Sequence, residues 1–125
     1  MKNNIVKNKS FDFAIRIVKL YQYLSSEKKE FILSKQLLRS GTSIGAMIRE
    51  AEHAESKSDF IHKFAVAQKE ANEVIYWLEL LKATDYLNQK EFENINNDAV
   101  SILKLITSII KTSKSQLSKS RLLPN

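Results

Sequence analysis

The residues that this sequence lacks narrow its fold and chemistry. Its 125 residues contain no cysteine, two glycines and one proline. Without cysteine the chain has no disulfide, no thiolate nucleophile and no cysteine-based zinc site, which suits a reducing compartment. Because sheet proteins need many turn residues, a chain this poor in glycine and proline is predicted to be all-α, with few and short loops.

Long apolar runs are missing as well. No stretch approaches the roughly 18 to 20 apolar residues of a membrane span. The N-terminal lysines are not followed by an uninterrupted apolar segment of signal-peptide length. We therefore expect a cytoplasmic protein that is neither secreted nor embedded in a membrane.

Apolar residues recur at helical spacing in four segments of the chain. The pattern predicts one domain, because 43% hydrophobic residues are enough for a single core. We expect a basic extension over residues 1–9, a bundle over 10–112 and a basic, flexible tail over 113–125. The predicted helices cover residues 11–24, 31–55, 57–84 and 89–112. Short connections make neighbouring helices antiparallel, so the expected fold is an up-down-up-down four-helix bundle.

Capping residues mark the beginnings of three predicted helices. Ser10 precedes the first apolar line and is read as the N-cap of helix 1. Ser56 with Asp59, and Asn88 with Glu91, have the spacing of a capping box. These pairs place the starts of helices 3 and 4.

The apolar stripes of helices 1 and 3 are wider than one core needs. Helix 1 carries two apolar lines, and helix 3 has apolar residues outside its main stripe. In one interpretation the wide apolar stripes extend further into the core of the same chain. In the other, the excess apolar side chains form an oligomer interface. The residues assigned to that interface are Phe13, Ile17, Leu20, Ile75, Tyr76, Trp77 and Leu80.

Positive charge is concentrated at both ends of the chain. Residues 1–29 carry seven Lys or Arg against two acids, and residues 104–125 carry five against none, within a formal net charge of +6. Helices 1 and 4 are neighbours in the expected bundle, so these segments meet on one side. Such a surface attracts nucleic-acid phosphates, although lysine-rich ends also serve solubility alone. The residues assigned to nucleic-acid binding are Lys7, Lys9, Arg16, Lys19, Lys111, Lys114, Lys119 and Arg121.

Candidate metal and catalytic groups are few. Glu50 and His53 have the Glu-x-x-His spacing of di-iron bundles, and Asp59 with His62 repeats it. Helices 1 and 4 offer few inward carboxylates to complete such a site, so we expect solvated histidines, no metal and no other cofactor. No serine relay, glycine-rich phosphate loop or carboxylate pair is recognisable, which favours a protein without enzymatic activity or a small-molecule substrate.

Both glycines stand inside a helical pattern, where each costs about 1 kcal/mol relative to Ala. Gly41 and Gly45, with Ser43 and Ala46, form a small-residue surface. Close packing of a neighbouring helix is the favoured interpretation, and a binding notch is the alternative.

The run QLLRSGTSIGAMIREAEHAESKSDFIHKFAVAQKEANEVIYWLELLKATDYL resembles the bacterial four helix bundle protein family. The first described members of this family are encoded by intervening sequences within 23S rRNA genes. The resemblance covers residues 10–90. Its specific parts are Gln36, Arg39, SIGA at 43–46, Glu50-Ala51, Ser56, Asp59-Phe60 and KEANEVIYWLELL at 69–81. Met47 and Arg49 depart from the family pattern, which usually has Asn at the first position and an acidic or small residue at the second.

This resemblance implies a left-handed bundle that forms homopentameric rings and has no known enzymatic activity. Relatives include accessory proteins of diversity-generating retroelements, basic pentamers that engage a reverse transcriptase and nucleic acid. We therefore expect a homo-oligomeric scaffold or adaptor whose partner is further copies of itself. The alternative is an accessory protein that binds RNA, DNA or a nucleic-acid enzyme through helices 1 and 4.

Overall fold

The computed structural model describes residues 2–122, and every regular element in that range is an α-helix. Helix α1 spans Lys2–Ser26, α2 spans Leu33–Ala51, α3 spans Lys57–Ala83 and α4 spans Gln89–Leu122. Each helix packs against two others, in a closed circuit from α1 through α4 and back to α1. The predicted all-α four-helix bundle is confirmed. None of these described helices is apolar over a length that could cross a lipid bilayer.

Side-chain bonds between the helices show that neighbours run antiparallel. Lys7, near the start of α1, pairs with Glu52, just after the end of α2, with Nζ and Oε1 2.9 Å apart. Gln68 in the first half of α3 donates to Thr107 in the second half of α4 at 3.0 Å. Helices α1 and α4 pack less closely than the other neighbouring pairs.

One continuous core runs through the bundle and takes side chains from all four helices. Burial of one such aliphatic or aromatic side chain stabilises the fold by about 1.5–3 kcal/mol. The largest fully buried side chains are Phe13, Phe64, Ile17, Leu24, Leu37, Ile44, Leu78, Leu81, Ile102, Ile106, Val6 and Val74.

Helix α1 begins at Lys2, so the predicted extension over residues 1–9 is wrong for residues 2–9. Ser10 is not an N-cap: it is 1% exposed inside the helix and donates its hydroxyl to the Lys7 carbonyl at 3.0 Å. Val6 is fully buried in the core. Its burial stabilises the early turns of the helix. Residue 1 lies outside the described residues.

Helix α4 continues to Leu122, although the sequence pattern ends it at residue 112 and predicts a flexible tail. The structure therefore corrects the tail prediction for residues 113–122. Ser113 is 5% exposed and Leu117 is partly buried, so packing continues past the predicted end. The remaining residues of the predicted tail, 123–125, lie outside the described part of the chain.

Helix α2 begins at a buried carboxylate. Glu30 is 7% exposed and accepts hydrogen bonds from the backbone N–H groups of Ile32, Leu33 and Ser34 at 3.1, 3.0 and 2.7 Å. Burial raises the pKa of this carboxyl, but the three backbone bonds together outweigh burial, so the pKa of Glu30 lies below its ordinary value. Glu30 thus satisfies amides that a helix start leaves without partners.

The connections at this end of the bundle contain the two left-handed residues of the described chain. Lys29 has φ of 57° and Asp85 has φ of 69°. After each of them the backbone turns back onto the preceding helix, with Glu30 N bonded to Leu24 O at 2.9 Å in the first connection. Glycine is common at this position because a Cβ strains the left-handed conformation.

Candidate functional site

One face of α1 exposes apolar side chains over two helical turns. Phe11 is 50% exposed, Ile15 is 41% exposed and Val18 is 37% exposed. Their spacing of four and three residues aligns them on the side of α1 that faces away from the core. We call these three residues the α1 stripe. Arg49 of α2 lies beside it, with its guanidinium carbon 5.1 Å from the centre of the Phe11 ring.

The α1 stripe is not the apolar line that the sequence pattern assigns to an interface. Phe13 is 1% exposed and Ile17 is fully buried, so both belong to the core of the chain itself and their assignment to an interface is wrong. Leu20 is partly buried and packs against the same core. Both lines have helical spacing, and only the packed structure shows which of them faces outward.

The α3 residues assigned to the interface lie at or near the surface. Tyr76 is 59% exposed, while Ile75, Trp77 and Leu80 are partly buried. The rings of Tyr76 and Trp77 meet edge to face, with centroids 5.0 Å apart. The buried indole Nε1 of Trp77 has no hydrogen-bond partner in the described part of the chain. A role of these residues in an interface stays a prediction.

Arg39 joins α2 to α3 through two carboxylates. Its Nη1 lies 3.0 Å from Glu70 Oε2, and its Nη2 lies 2.7 Å from Glu73 Oε1. The bond to Glu73, with the charge of Glu70, raises the pKa of Arg39 above its ordinary value. Glu70 is 7% exposed, and a carboxylate this buried needs a partner. The sequence gives these residues no role beyond their place in the resemblance.

The two glycines differ in how closely α1 approaches them. A Cβ at Gly41 would lie 2.8 Å from side-chain carbons of Ile17, closer than carbon atoms approach. A Cβ at Gly45 would lie 3.5 Å from the Ser10 carbonyl oxygen, which is ordinary contact. Gly41 therefore makes room for the Ile17 side chain of α1, whereas Gly45 lies against the α1 backbone at Ser10.

The other two small residues of this segment have different surroundings. Ser43 is partly buried and donates its hydroxyl to the Arg39 carbonyl within α2, at 2.6 Å. Ala46 is exposed, and its assignment to close helix packing stays a prediction.

Two of the basic residues assigned to nucleic-acid binding already have partners. Lys7 pairs with Glu52, and this bond lowers the pKa of the Glu52 carboxyl below its ordinary value. Arg16 bridges from α1 to Asp98 and Asn94 on α4. The other six are exposed, and no ion pair involves them within residues 2–122: Lys9, Lys19, Lys111, Lys114, Lys119 and Arg121. The last four lie in residues 111–122, which we call the α4 extension.

A cavity of about 510 Å³ opens at the end of the bundle where α1 and α3 begin. Ile48 and Phe64, each 2% exposed, form its floor together with Phe60. Lys57 stands at the rim, with Nζ 5.4 Å from the centre of the Phe60 ring. We call this space the end cavity. Its polar lining residues are Asn3, Asn4, Lys7, Glu52, Ser56 and Lys57.

The residues with di-iron spacing do not converge. Glu50 pairs with Lys63, with Oε1 and Nζ 3.1 Å apart, and this bond raises the pKa of Lys63. His53 and His62 are both exposed. Over the range that the structure describes, no three His, Asp or Glu side chains are grouped so that they could hold a metal ion.

Comparison with known proteins adds a family and a solved structure. A model of the family described as 23S rRNA-intervening sequence protein matches residues 2–108. The chain is also similar to the crystal structure of a protein with unknown function from the S23 ribosomal protein family of Bacteroides thetaiotaomicron VPI-5482, with 61% sequence identity and a TM-score of 0.88. That similarity covers 89% of this chain and 99% of the other. No curated protein matches the chain significantly. The α4 extension lies beyond the residues that the family model matches.

Proposed function

The chain belongs to the 23S rRNA-intervening sequence protein family, and we propose that it acts as a non-enzymatic, homo-oligomeric scaffold or adaptor. The α1 stripe is the observation that carries this proposal. Apolar side chains aligned on one helix face leave water favourably when another copy covers them. A homopentamer, which the sequence resemblance implies, is the favoured assembly.

The position of a second exposed apolar site supports a ring. Tyr76 lies on α3, which is diagonal to α1 in the bundle. In a ring of three or more subunits each subunit uses two different patches, one for each neighbour. Apolar sites on two diagonal helices are compatible with that geometry.

Size-exclusion chromatography with light scattering tests the assembly. The expected mass is a multiple of the 14.4 kDa chain, with five copies favoured, and it should persist on dilution into the micromolar range. A mass of 14.4 kDa at every concentration would contradict the proposal.

The α4 extension supports a second candidate function, binding of RNA or DNA. It carries four exposed cations, and the sequence has no acid after Asp98. Five copies of a chain with net charge +6 would bring about +30 to one ring, so weak contacts with phosphates would add up. The family description refers to a ribosomal RNA gene, which makes structured RNA the first ligand to test.

Gel-shift titration with structured RNA and duplex DNA at several salt concentrations tests this function. Replacing the four cations of the α4 extension by Gln should weaken binding and flatten its salt dependence, because each lost phosphate contact lowers the logarithmic slope by about one. A matched control replaces four exposed lysines that lie at or near the opposite end, Lys28, Lys29, Lys35 and Lys90. Absence of binding by the parent at low salt, or equal losses in both variants, would contradict this function.

A further inference from the structure

The end cavity has the volume and the aromatic lining of a small-ligand site. Its volume of about 510 Å³ falls within the range of about 300–1,000 Å³ that is usual for ligand pockets. The rings of Phe60 and Phe64 lie with centroids 4.8 Å apart. Phe64 is anchored in the core, whereas Phe60 is partly exposed and faces the cavity. A flat, apolar ligand group can stack on Phe60 when the flexible Lys57 side chain, whose ammonium lies over that ring, moves aside.

The rim of the cavity offers groups for hydrogen bonds and for an anion. The amides of Asn3 and Asn4 each provide donors and an acceptor, as the edge of a nucleobase requires. Lys57 is exposed, and it makes no ion pair within the described residues. Because its Nζ lies 5.4 Å from the Phe60 ring centre, a phosphate bound by Lys57 would stand beside a base stacked on Phe60.

The composition of the lining disfavours a purely apolar ligand. Six of the eleven lining residues are polar. Lys7 and Glu52 are paired with each other, and Ser56 accepts from the Asp59 amide. A fatty acid or another extended apolar molecule, however, would cover Asn3, Asn4 and Lys57 without bonding to them, which is unfavourable. A ligand that combines an aromatic ring with an anionic group satisfies both parts of the cavity.

The α4 extension reaches the level of the end cavity along the bundle axis. Gln68 bonds to Thr107 across α3 and α4, so these residues are level with each other. Lys57 is eleven residues before Gln68, and Ser118 is eleven residues after Thr107, which places Ser118 level with Lys57 in the antiparallel pair. Lys114 and Arg121 then lie within about 6 Å of that level along the helix axis. These cations are therefore at the same end of the bundle as the end cavity.

We propose that the end cavity binds one nucleotide, with the base stacked on Phe60 and the phosphate held by Lys57. A base joined to a phosphate occurs both in a free mononucleotide and in an unpaired nucleotide of a single-stranded nucleic acid. The second source rests on the nucleic-acid function proposed above. A base inside a duplex is stacked on its neighbours and does not enter the cavity.

Fluorescence anisotropy with a short labelled single-stranded RNA, and with the same sequence as a duplex, tests the proposal. Phe60→Leu should weaken single-strand binding about five-fold or more by removing the stacking ring, and leave duplex binding unchanged. Lys57→Gln, an exposed change that does not endanger the fold, should also weaken single-strand binding. Lys82 and Phe92 form a matched control pair outside the cavity, with the Lys82 Nζ 5.0 Å from the centre of the Phe92 ring. Lys82→Gln and Phe92→Leu should leave single-strand binding unchanged.

The outcomes separate this proposal from the nucleic-acid function. RNA binding that neither Phe60→Leu nor Lys57→Gln weakens would overturn the nucleotide cavity and leave the nucleic-acid function standing. Calorimetric titration with adenosine monophosphate tests the other source. Binding of this nucleotide that the same two variants weaken, together with no binding of RNA, would support the cavity and assign it to a free nucleotide. Absence of binding by both ligands would overturn the nucleotide cavity, whereas the nucleic-acid function is decided by the gel-shift titration with structured RNA and duplex DNA.

Discussion

At the scale of single residues, the charge of Glu30 makes the stability of the fold at the start of α2 depend on pH. Its carboxylate accepts three backbone hydrogen bonds, and its pKa lies below the ordinary value. A carboxyl whose pKa is lowered by folding stabilises the folded state above its unfolded pKa of about 4.3. That stabilisation is lost as the pH falls through the lowered pKa of the folded state.

Glu30→Gln should lower the free energy of unfolding by about 1–2 kcal/mol near neutral pH, as the loss of a strong helix cap does. Urea unfolding at a series of pH values measures the difference from the parent. The difference should shrink below about pH 4, where the parent carboxyl is itself becoming protonated. Glu27→Gln, an exposed change in the same connection, is the control. A difference that is independent of pH would refute the role of the charge.

The two glycines should respond in opposite directions to the same substitution. Gly41→Ala places a methyl group against Ile17, which is fully buried and has no room to move, so we expect a loss of about 1–3 kcal/mol in stability. Gly45→Ala meets only ordinary contacts and should stabilise by up to about 1 kcal/mol. Thermal melts of both variants, with solution mass measured in parallel, give the comparison. A Gly41→Ala variant that melts at or above the parent temperature would show that the helices are not closely packed there.

At the scale of the helices, local signals gave some boundaries and missed others. The capping pairs Ser56 with Asp59 and Asn88 with Glu91 correctly indicate the starts of α3 and α4, and their side chains cap those helices. The start of α1 was missed because Ser10 resembles an N-cap. Its true place is the core line that Val6 begins and Phe13 and Ile17 continue, at steps of four, three and four residues.

The orientation of α1 could not be read from the sequence. Both apolar lines have the same period, so periodicity predicts an excess of apolar surface without showing which line is buried. The choice depends on a contact with another helix, since Ile17 fits against Gly41 of α2. Glycine is also missing where local rules expect it, because Lys29 and Asp85 occupy the left-handed positions while both glycines lie within α2.

The Arg39 contact between α2 and α3 gives a prediction at this scale. Arg39→Ala would leave Glu70 buried without its cation and should lower stability by about 1–3 kcal/mol. Adding Glu70→Gln should restore part of the loss, because a neutral amide is less costly to bury. Denaturant unfolding of the single and double variants measures this coupling, with Glu73→Gln as the more exposed control. Equal stability of the single and double variants would show that Glu70 does not depend on Arg39.

At the scale of the whole molecule, charge and apolar surface are separated. The exposed cations of the α4 extension lie at the end of the bundle where the end cavity opens, whereas the α1 stripe lies along the side. The sequence indicated both features through its basic ends and its wide apolar lines. It could not indicate the cavity, because that space forms only where residues 3–7 of α1 fold against residues 48–64.

The solution mass of a variant with Phe11→Ser and Ile15→Ser tests the central claim, assembly through the α1 stripe, most directly. Its control is a variant with Phe31→Ser and Ile32→Ser, which removes side chains that are 51% and 76% exposed in the connection between α1 and α2. We predict that the stripe variant, with an unchanged circular dichroism spectrum, has the 14.4 kDa mass of one chain while the control keeps the mass of the parent assembly. A stripe variant that keeps the parent mass, or a control that dissociates equally, would contradict the claim.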